Sequence, residues 1–463
     1  MTPGKLLNLL FAIVPVKKLC LFMSFVFGIW GCQHELPETD LSIRLIEKMM
    51  EVSPTGSIDY YRLPRETDYV TIPQDPGNPL SKSKVELGKF LFHETGIGLD
   101  AAHPSGMQTF SCASCHVASR GFKPGRIQGI ADGGMGFGHE GELRFKQDLY
   151  EEFELDAQPI RPLSVLNSAF VTNTFWNGQF GAGGVNEGTE DLWGQSIEGT
   201  EVNHSGFSGI EAQNMEGLKL HRMLVTEEIA DDLGYRELFD SAFPDYADPE
   251  ERYSNETASL AISAYLRSLI TNRAPFQEFF RNGYLAPTMS DAEKEGALLF
   301  FGKAGCVRCH NGPSFGSMEF HALGVNDLKE HPEAFVTPEF HKKYLGRGGF
   351  TQREEDMYKF KVPQLYNLKG NGVYFHGSSK SSIRAVVEYF NLGIPENTEV
   401  PESQISHFFH PLDLTEDEID KLTLFIEESL YDPDIYRYVP EALPSNNCFP
   451  NADPISKIDL NCE

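Results

Sequence analysis

Hydrophobic positions along the chain repeat mainly with a helical period. Ile262, Tyr265, Leu266, Leu269 and Ile270 follow the i, i+3, i+4, i+7, i+8 spacing of one buried helix face. Ser290-Asp291-Ala292-Glu293 reads as a capping box that opens a helix running toward Phe301. Thr415-Glu416-Asp417-Glu418 repeats that signal before Ile419, Leu422, Phe425 and Ile426. Strict alternation of the kind strands need is scarce. Glycine-rich stretches at 181–209 and 346–353 read as long loops, and loops of such length usually serve function. Residues 32–78, where proline and polar residues are frequent, read as a tether and extended lead-in.

The first apolar run has a different meaning. Residues 1–31 hold Lys5, Lys17 and Lys18 and no acid, and Lys17-Lys18 precede the run Leu19 to Trp30. This is the order of an export signal, too short to span a bilayer comfortably. Cys32 after Gly31 resembles a lipoprotein cleavage site, so a membrane tether through a lipid on Cys32 is expected. Composition then narrows the partners. With 39 Lys+Arg against 67 Asp+Glu the net charge is −28, and without residues 1–31 it becomes −31. No basic stripe interrupts that acidity, so nucleic acid is excluded as a partner and a small cationic protein fits the field. Hydrophobic residues at 40% and aromatics at 12% support a sizeable core and exclude bulk disorder.

Eight cysteines carry the chemistry. Cys448 and Cys462 bracket the tail, and in an oxidising compartment they read as a disulfide. Four others form a repeat: Ser111-Cys112-Ala113-Ser114-Cys115-His116 is echoed 194 residues later by Gly305-Cys306-Val307-Arg308-Cys309-His310. Leu87-Gly88-Lys89-Phe90-Leu91-Phe92 precedes the first copy and Gly296-Ala297-Leu298-Leu299-Phe300-Phe301 the second, so a helix and its motif are duplicated. Two thiols three residues apart can each add to a vinyl group of one haem, and the next histidine then ligates the iron. Zinc is the competing reading, but it needs further ligands and no histidine directly after the second cysteine. A redox dithiol would want a thioredoxin context that neither pair shows.

Over roughly residues 80–440 the sequence resembles the bacterial di-haem cytochrome c peroxidase family, MauG-type enzymes included. The matching stretches are Leu87-Gly88-Lys89, Phe175-Trp176-Asn177-Gly178, Cys309-His310-Asn311-Gly312-Pro313, Phe320-His321-Ala322-Leu323-Gly324-Val325, Phe360-Lys361-Val362-Pro363 and Tyr374-Phe375-His376-Gly377. The resemblance implies a mainly α fold with two cytochrome c-like helical domains, long loops and one covalent haem c in each. The expected organisation is a signal at 1–31, the tether at 32–78, a peroxidatic domain at 79–250, an electron-accepting domain at 251–440 and a disulfide-closed tail at 441–463. The domain boundary is expected near 245–255.

The resemblance also assigns roles. Cys112, Cys115, Cys306 and Cys309 attach the haems, and His116 and His310 ligate their irons. His139, in Gly138-His139-Glu140-Gly141, is the expected removable sixth ligand of the first iron. Trp176 relays electrons between the haems. The family's distal Glu, counted from Ile210-Glu211-Ala212-Gln213, falls at Arg222; Glu211, Glu216 and His221 are substitutes, and Arg222 could stabilise developing negative charge. At the sixth position of the second iron the peroxidases carry Met and MauG-type proteins Tyr. Counting from His376 reaches Phe390, which has no donor atom, so either neighbouring Tyr389 reaches the iron or the position is open or otherwise filled; no Met is expected there. The family's calcium-binding Asn is missing from Ile160-Arg161-Pro162-Leu163, which leaves only backbone carbonyls near Asn371 and Val373 as calcium ligands. The function implied is reduction of hydrogen peroxide by electrons from a small periplasmic cytochrome or cupredoxin, and a homodimer is compatible with it. The rivals are a MauG-like oxidase acting on a protein or organic substrate and a non-catalytic electron carrier.

Overall fold

A computed structural model describes residues 40–284 and 286–462. The export signal and Cys32 lie outside the described residues. The fold is mainly helical, with two short antiparallel strand pairs among the described residues: β1 (Gly134–Met135) with β2 (Phe145–Lys146), and β3 (Phe320–His321) with β4 (Phe360–Lys361). Lys361 stands opposite Phe320 in the second register. Among the described residues no helix is long and apolar enough to cross a membrane.

Two hydrophobic cores organise the chain. The first gathers helix Lys82–His93, helix Gly209–Leu220 and helix Asn255–Arg267 around Leu87, Leu91, Phe92, Ile262 and Tyr265. Ser81 caps the first of these helices by accepting from the Lys84 amide at 3.2 Å. Helix Asn255–Arg267 opens on the Ser254/Thr257 capping box. The second core is dense in aromatics: Phe276, Phe300, Phe301, Phe315, Phe425 and Tyr366 pack mostly edge to face. Both expected capping boxes, Ser290/Glu293 and Thr415/Glu418, are formed there.

The duplication is visible in how each core is pinned. A β-carbon on Gly88 would overlap the carbonyl of Ala261, and one on Gly296 would overlap the carbonyl of Lys421. In each lobe, then, the helix before the motif crosses a partner helix at a glycine, because only glycine lets two backbones approach so closely. This pairs Gly88 with Gly296, one residue away from the register that the flanking apolar runs suggest.

Three expectations about organisation need correcting. Residues 41–72 are no tether: Leu45 and Met49 of helix Leu41–Val52, with Ile58, Tyr61, Leu63 and Ile72, are buried in the second core. Helix Asn255–Arg267 packs in the first core, and the cores part between Leu269 and Ile270, beyond the expected 245–255. Within 346–353, Arg347–Thr351 forms a short helix rather than loop. The tail does close on Cys448–Cys462, with Cα atoms 5.8 Å apart. It lies on the first core, where Thr95 donates to the Cys448 carbonyl at 3.1 Å.

Candidate functional site

Each Cys-x-x-Cys-His motif is a tight 3₁₀ turn, Cys112–Ser114 in one lobe and Cys306–Arg308 in the other. The turn brings the histidine back over the first cysteine: His116 N donates to Cys112 O at 3.1 Å and His310 N to Cys306 O at 2.9 Å. Both imidazoles are then oriented by backbone. His116 Nδ1 pairs with Phe122 O at 2.9 Å, and His310 Nδ1 with Phe315 O at 2.9 Å and Pro363 O at 3.1 Å. An imidazole that donates from Nδ1 presents Nε2 as a lone-pair ligand, which is the arrangement iron sites use. Burial holds both histidines down at about 4, so they are neutral and fit to ligate. The four motif cysteines are free, although the chain's other described pair is a disulfide.

All six residues line one continuous cavity of about 670 Å³ with mostly apolar walls. Its size separates the two metal readings. A zinc ion needs a compact ligand set, and the described residues bring together only Cys309, Glu319 and His321, with ligand atoms within 4.8 Å of one another. The first motif has no such group among the described residues, so a repeated zinc site is not built. A roomy apolar cleft with two free thiols and a neutral, oriented histidine at each end fits haem.

Trp176 lies on the cavity wall where the lobes meet. Its Nε1 donates to Arg161 O at 2.7 Å, and its ring stands edge-on to His376 at 6.0 Å and Phe360 at 6.4 Å. Phe360 and His376 are stacked 3.7 Å apart, and His376 Nε2 pairs with Asp327 at 3.0 Å. An unbroken set of aromatic rings thus adjoins the indole on its second-lobe side.

Other expected site residues fall elsewhere. Glu211 is fully buried and off the cavity wall, held by Arg267 at 2.6 and 2.8 Å and by Asn78 at 3.4 Å. It is half of an internal ion pair, not an acid–base group. Arg222 is likewise off the wall, tied to Asp132 and to Glu154 O. His139 is exposed on its glycine-rich loop, where its amide donates to Glu142 at 3.1 Å, and it does not reach the cavity. Tyr389 points away too: its hydroxyl donates to Leu323 O at 2.7 Å and Gly324 O at 3.0 Å, while adjacent Phe390 lines the cavity. Asn371, near the carbonyls expected to hold calcium, is buried with Oδ1 unpartnered.

The first-lobe wall of the cavity also carries Glu216 and His221. Glu216 is held above the usual carboxylate range by burial and by neighbouring Glu201 and Glu198. His221 Nδ1 pairs with Asp156 at 2.8 and 3.0 Å; burial opposes its charging, but Asp156 wins and raises it. Both residues were visible in sequence only as substitutes. Asp156 has no sequence signal at all, since it pairs across 65 residues.

Two duplicated haem-type turns on one cavity in a mainly helical fold define a class of redox protein, and comparison with known proteins specifies it. Residues 82–284 match the family model described as di-haem cytochrome c peroxidase. The cytochrome-c peroxidase IdrP1 of Denitromonas iodatirespirans is 27% identical over 383 residues, covering 77% of this chain and 84% of that protein. The methylamine utilization protein MauG of Methylorubrum extorquens is 26% identical, covering 78% and 82%. The cytochrome c551 peroxidase of Nitrosomonas europaea is also 26% identical, covering 81% and 88%. Among solved structures, a MauG-like protein associated with microbial copper homeostasis shares the fold with a TM-score of 0.53 at 23% identity, covering 81% of this chain and 95% of that one. The chain is similar to the di-haem cytochrome c peroxidases and to MauG, and is a cytochrome-c peroxidase-like oxidoreductase.

Proposed function

We propose that the protein is a di-haem c peroxidase that takes two electrons from a small redox protein and, with two protons, converts hydrogen peroxide to two waters. The reading rests on one observation: both Cys-x-x-Cys-His turns open onto a single cavity with Trp176 on its wall between them. Cys112 and Cys115 would bind one haem through thioether bonds and Cys306 and Cys309 the other, with His116 and His310 as iron ligands. The haem irons would supply the redox chemistry that breaks the oxygen–oxygen bond. The chain's part is then to conduct and to move protons. Trp176 bridges the lobes for electrons, fixed in orientation by its hydrogen bond to Arg161 O. Glu216, raised by burial, and the Asp156-held His221 are groups on the first-lobe wall that can give and accept a proton. The net charge of −28 favours docking of a cationic cytochrome or cupredoxin. The export signal and Cys32 argue for a lipid-anchored protein on the periplasmic side.

Steady-state turnover of fully haem-loaded protein with peroxide and a reduced small cytochrome tests this reading. Peroxide-dependent oxidation of the cytochrome is expected, and its absence overturns the proposal. A MauG-like oxidase is favoured by a different observation: neither Glu211 nor Arg222, at the counted place of the peroxidases' distal Glu, lines the cavity. Product analysis with candidate protein and organic substrates separates the two.

A further inference from the structure

Three cations on the cavity wall, Arg161 and Lys361 buried and Lys123 half-buried, lack an anionic partner among the described residues. Lys123 follows Phe122, whose carbonyl orients His116, and among the described residues its ammonium has no hydrogen-bond or ion-pair partner. Arg161, 2% exposed, donates only to the backbone carbonyls of Arg126 and Pro124, and its Nε is buried without a partner. Lys361, 4% exposed, has a single partner, the Asn173 carbonyl at 2.9 Å. Its segment continues to Pro363, whose carbonyl orients His310. Burial drives both lysines down to about 7, with Arg161 adding to the effect at Lys123.

Leaving buried cations without anions is costly, and elsewhere this chain pairs them with a carboxylate or, at Arg347, saturates them with four oxygen acceptors. Arg267 is paired with Glu211, and Arg144 with Asp453 at 3.5 Å. With 67 acidic residues available, a shortage of carboxylates does not explain the exceptions. What distinguishes the three is position: each lies on the cavity wall, in or against the segment that orients an iron-ligating histidine. A haem brings two carboxylate side chains of its own.

We propose that Lys123 and Arg161 receive the carboxylates of the haem attached at Cys112 and Cys115, and that Lys361 receives a carboxylate of the haem attached at Cys306 and Cys309. The inference rests on the covalent-haem reading above. Its electrostatic consequence is specific. A fixed cation beside a haem edge disfavours the ferric state, so it raises that haem's potential. The sites also adjoin the electron path, because Arg161 O accepts from Trp176 Nε1 and Lys361 N donates to Trp176 O at 2.7 Å.

The test uses the full-length, haem-loaded protein. Haem staining on a denaturing gel first establishes covalent attachment in the wild type. Spectroelectrochemical titration then reads both midpoint potentials, with the two waves assigned from Cys112→Ala and Cys306→Ala proteins that each lose one attachment site. Lys361→Gln should shift only the second haem's wave downward and Lys123→Gln only the first, while Lys361→Arg and Lys123→Arg hold the wild-type values. A glutamine variant that fails to load haem while its arginine counterpart loads supports the same conclusion. Unmoved potentials in loaded glutamine variants overturn it, as do arginine variants that behave like, or fail together with, the glutamine ones. A wild type without gel-stable haem instead defeats the covalent-haem reading on which the inference stands.

Discussion

The two Cys-x-x-Cys-His turns share a backbone and differ in nearly everything around it. The first is roofed by the C-terminal tail: Ser111 and Ser114 donate to Pro450 O at 2.8 and 3.2 Å, and Asn451 Nδ2 donates to Ser114 Oγ at 2.8 Å. Further back the tail is tied down by Glu94, which takes hydrogen bonds from Ser445 at 2.6 Å and Asn447 at 2.8 Å. The second turn has no such roof among the described residues; its Cys309 Sγ lies 3.6 Å from His321, which neighbours Glu319. The cavity walls diverge as well. Glu216 and the His221–Asp156 pair mark the first lobe, whereas Phe375, Phe390 and Phe408 mark the second. Duplication preserved the part of the sequence that attaches and orients, and left the surroundings free to specialise. A motif therefore states what can be bound, and its neighbours state what the bound group is used for.

The sharpest way to break this comparison is to remove one turn at a time. If each turn attaches one haem, as proposed, replacing both cysteines of either motif with alanine should lower covalent haem by about half, as read by pyridine haemochrome. Loss of both haems from one double variant would show that the lobes do not load independently. Next in size is Glu211→Ala, which leaves Arg267 buried and unpaired and should cost about 3–5 kcal/mol in denaturant unfolding. Turnover per folded, loaded molecule should survive it, since Glu211 does not reach the cavity. Cys448→Ser with Cys462→Ser opens a link of sequence separation 14. It should cost about 3 kcal/mol on the loop-entropy view and perturb the optical spectrum of the first haem alone.

Two smaller effects sharpen the second lobe and the first in turn. Phe390→Met should bring a Met–iron charge-transfer band, which the wild type is expected to lack, into the oxidised spectrum and raise the second haem's potential. Tyr389→Phe should leave that spectrum unchanged and cost about 1 kcal/mol for its two carbonyl contacts. The smallest effect is on pH dependence. His221 is raised in the folded state, so its pairing with Asp156 stabilises fully below the unfolded histidine pKa. That stability fades as pH climbs through the folded value. Asp156→Asn should flatten this part of the stability profile, measured by thermal melts across neutral pH.

Features carried by short-range sequence were readable before any coordinates. Capping boxes at Ser290 and Thr415, the two haem-type turns and the Cys448–Cys462 closure each depend on residues close in the chain. Counting from His376 also reached the side chain that faces the cavity, Phe390, and the adjacent Tyr389 turns away as helical geometry requires. What escaped depends on distant partners. Leu45 and Met49 form a stripe too narrow to stand out among polar neighbours, and only the second core reveals its use. Nothing local to Glu211 announces Arg267, 56 residues on, and nothing local to Lys361 announces that it is buried without an acid. His139 shows the converse: a suggestive glycine-flanked histidine whose loop runs along the surface.

The roof over the first turn also carries a statement about time. A ribosome makes Cys112 and Cys115 long before Pro450 and Asn451, so the partners of Ser111 and Ser114 are among the last residues to emerge. Until they arrive, the first turn is uncovered on the side that the finished protein closes. The second turn completes earlier, because the later residues that contact it and its neighbour His321, namely Pro363 and Ser406, precede the tail. Completion of the chain thus acts as a seal on the first turn, set only when the tail has been made.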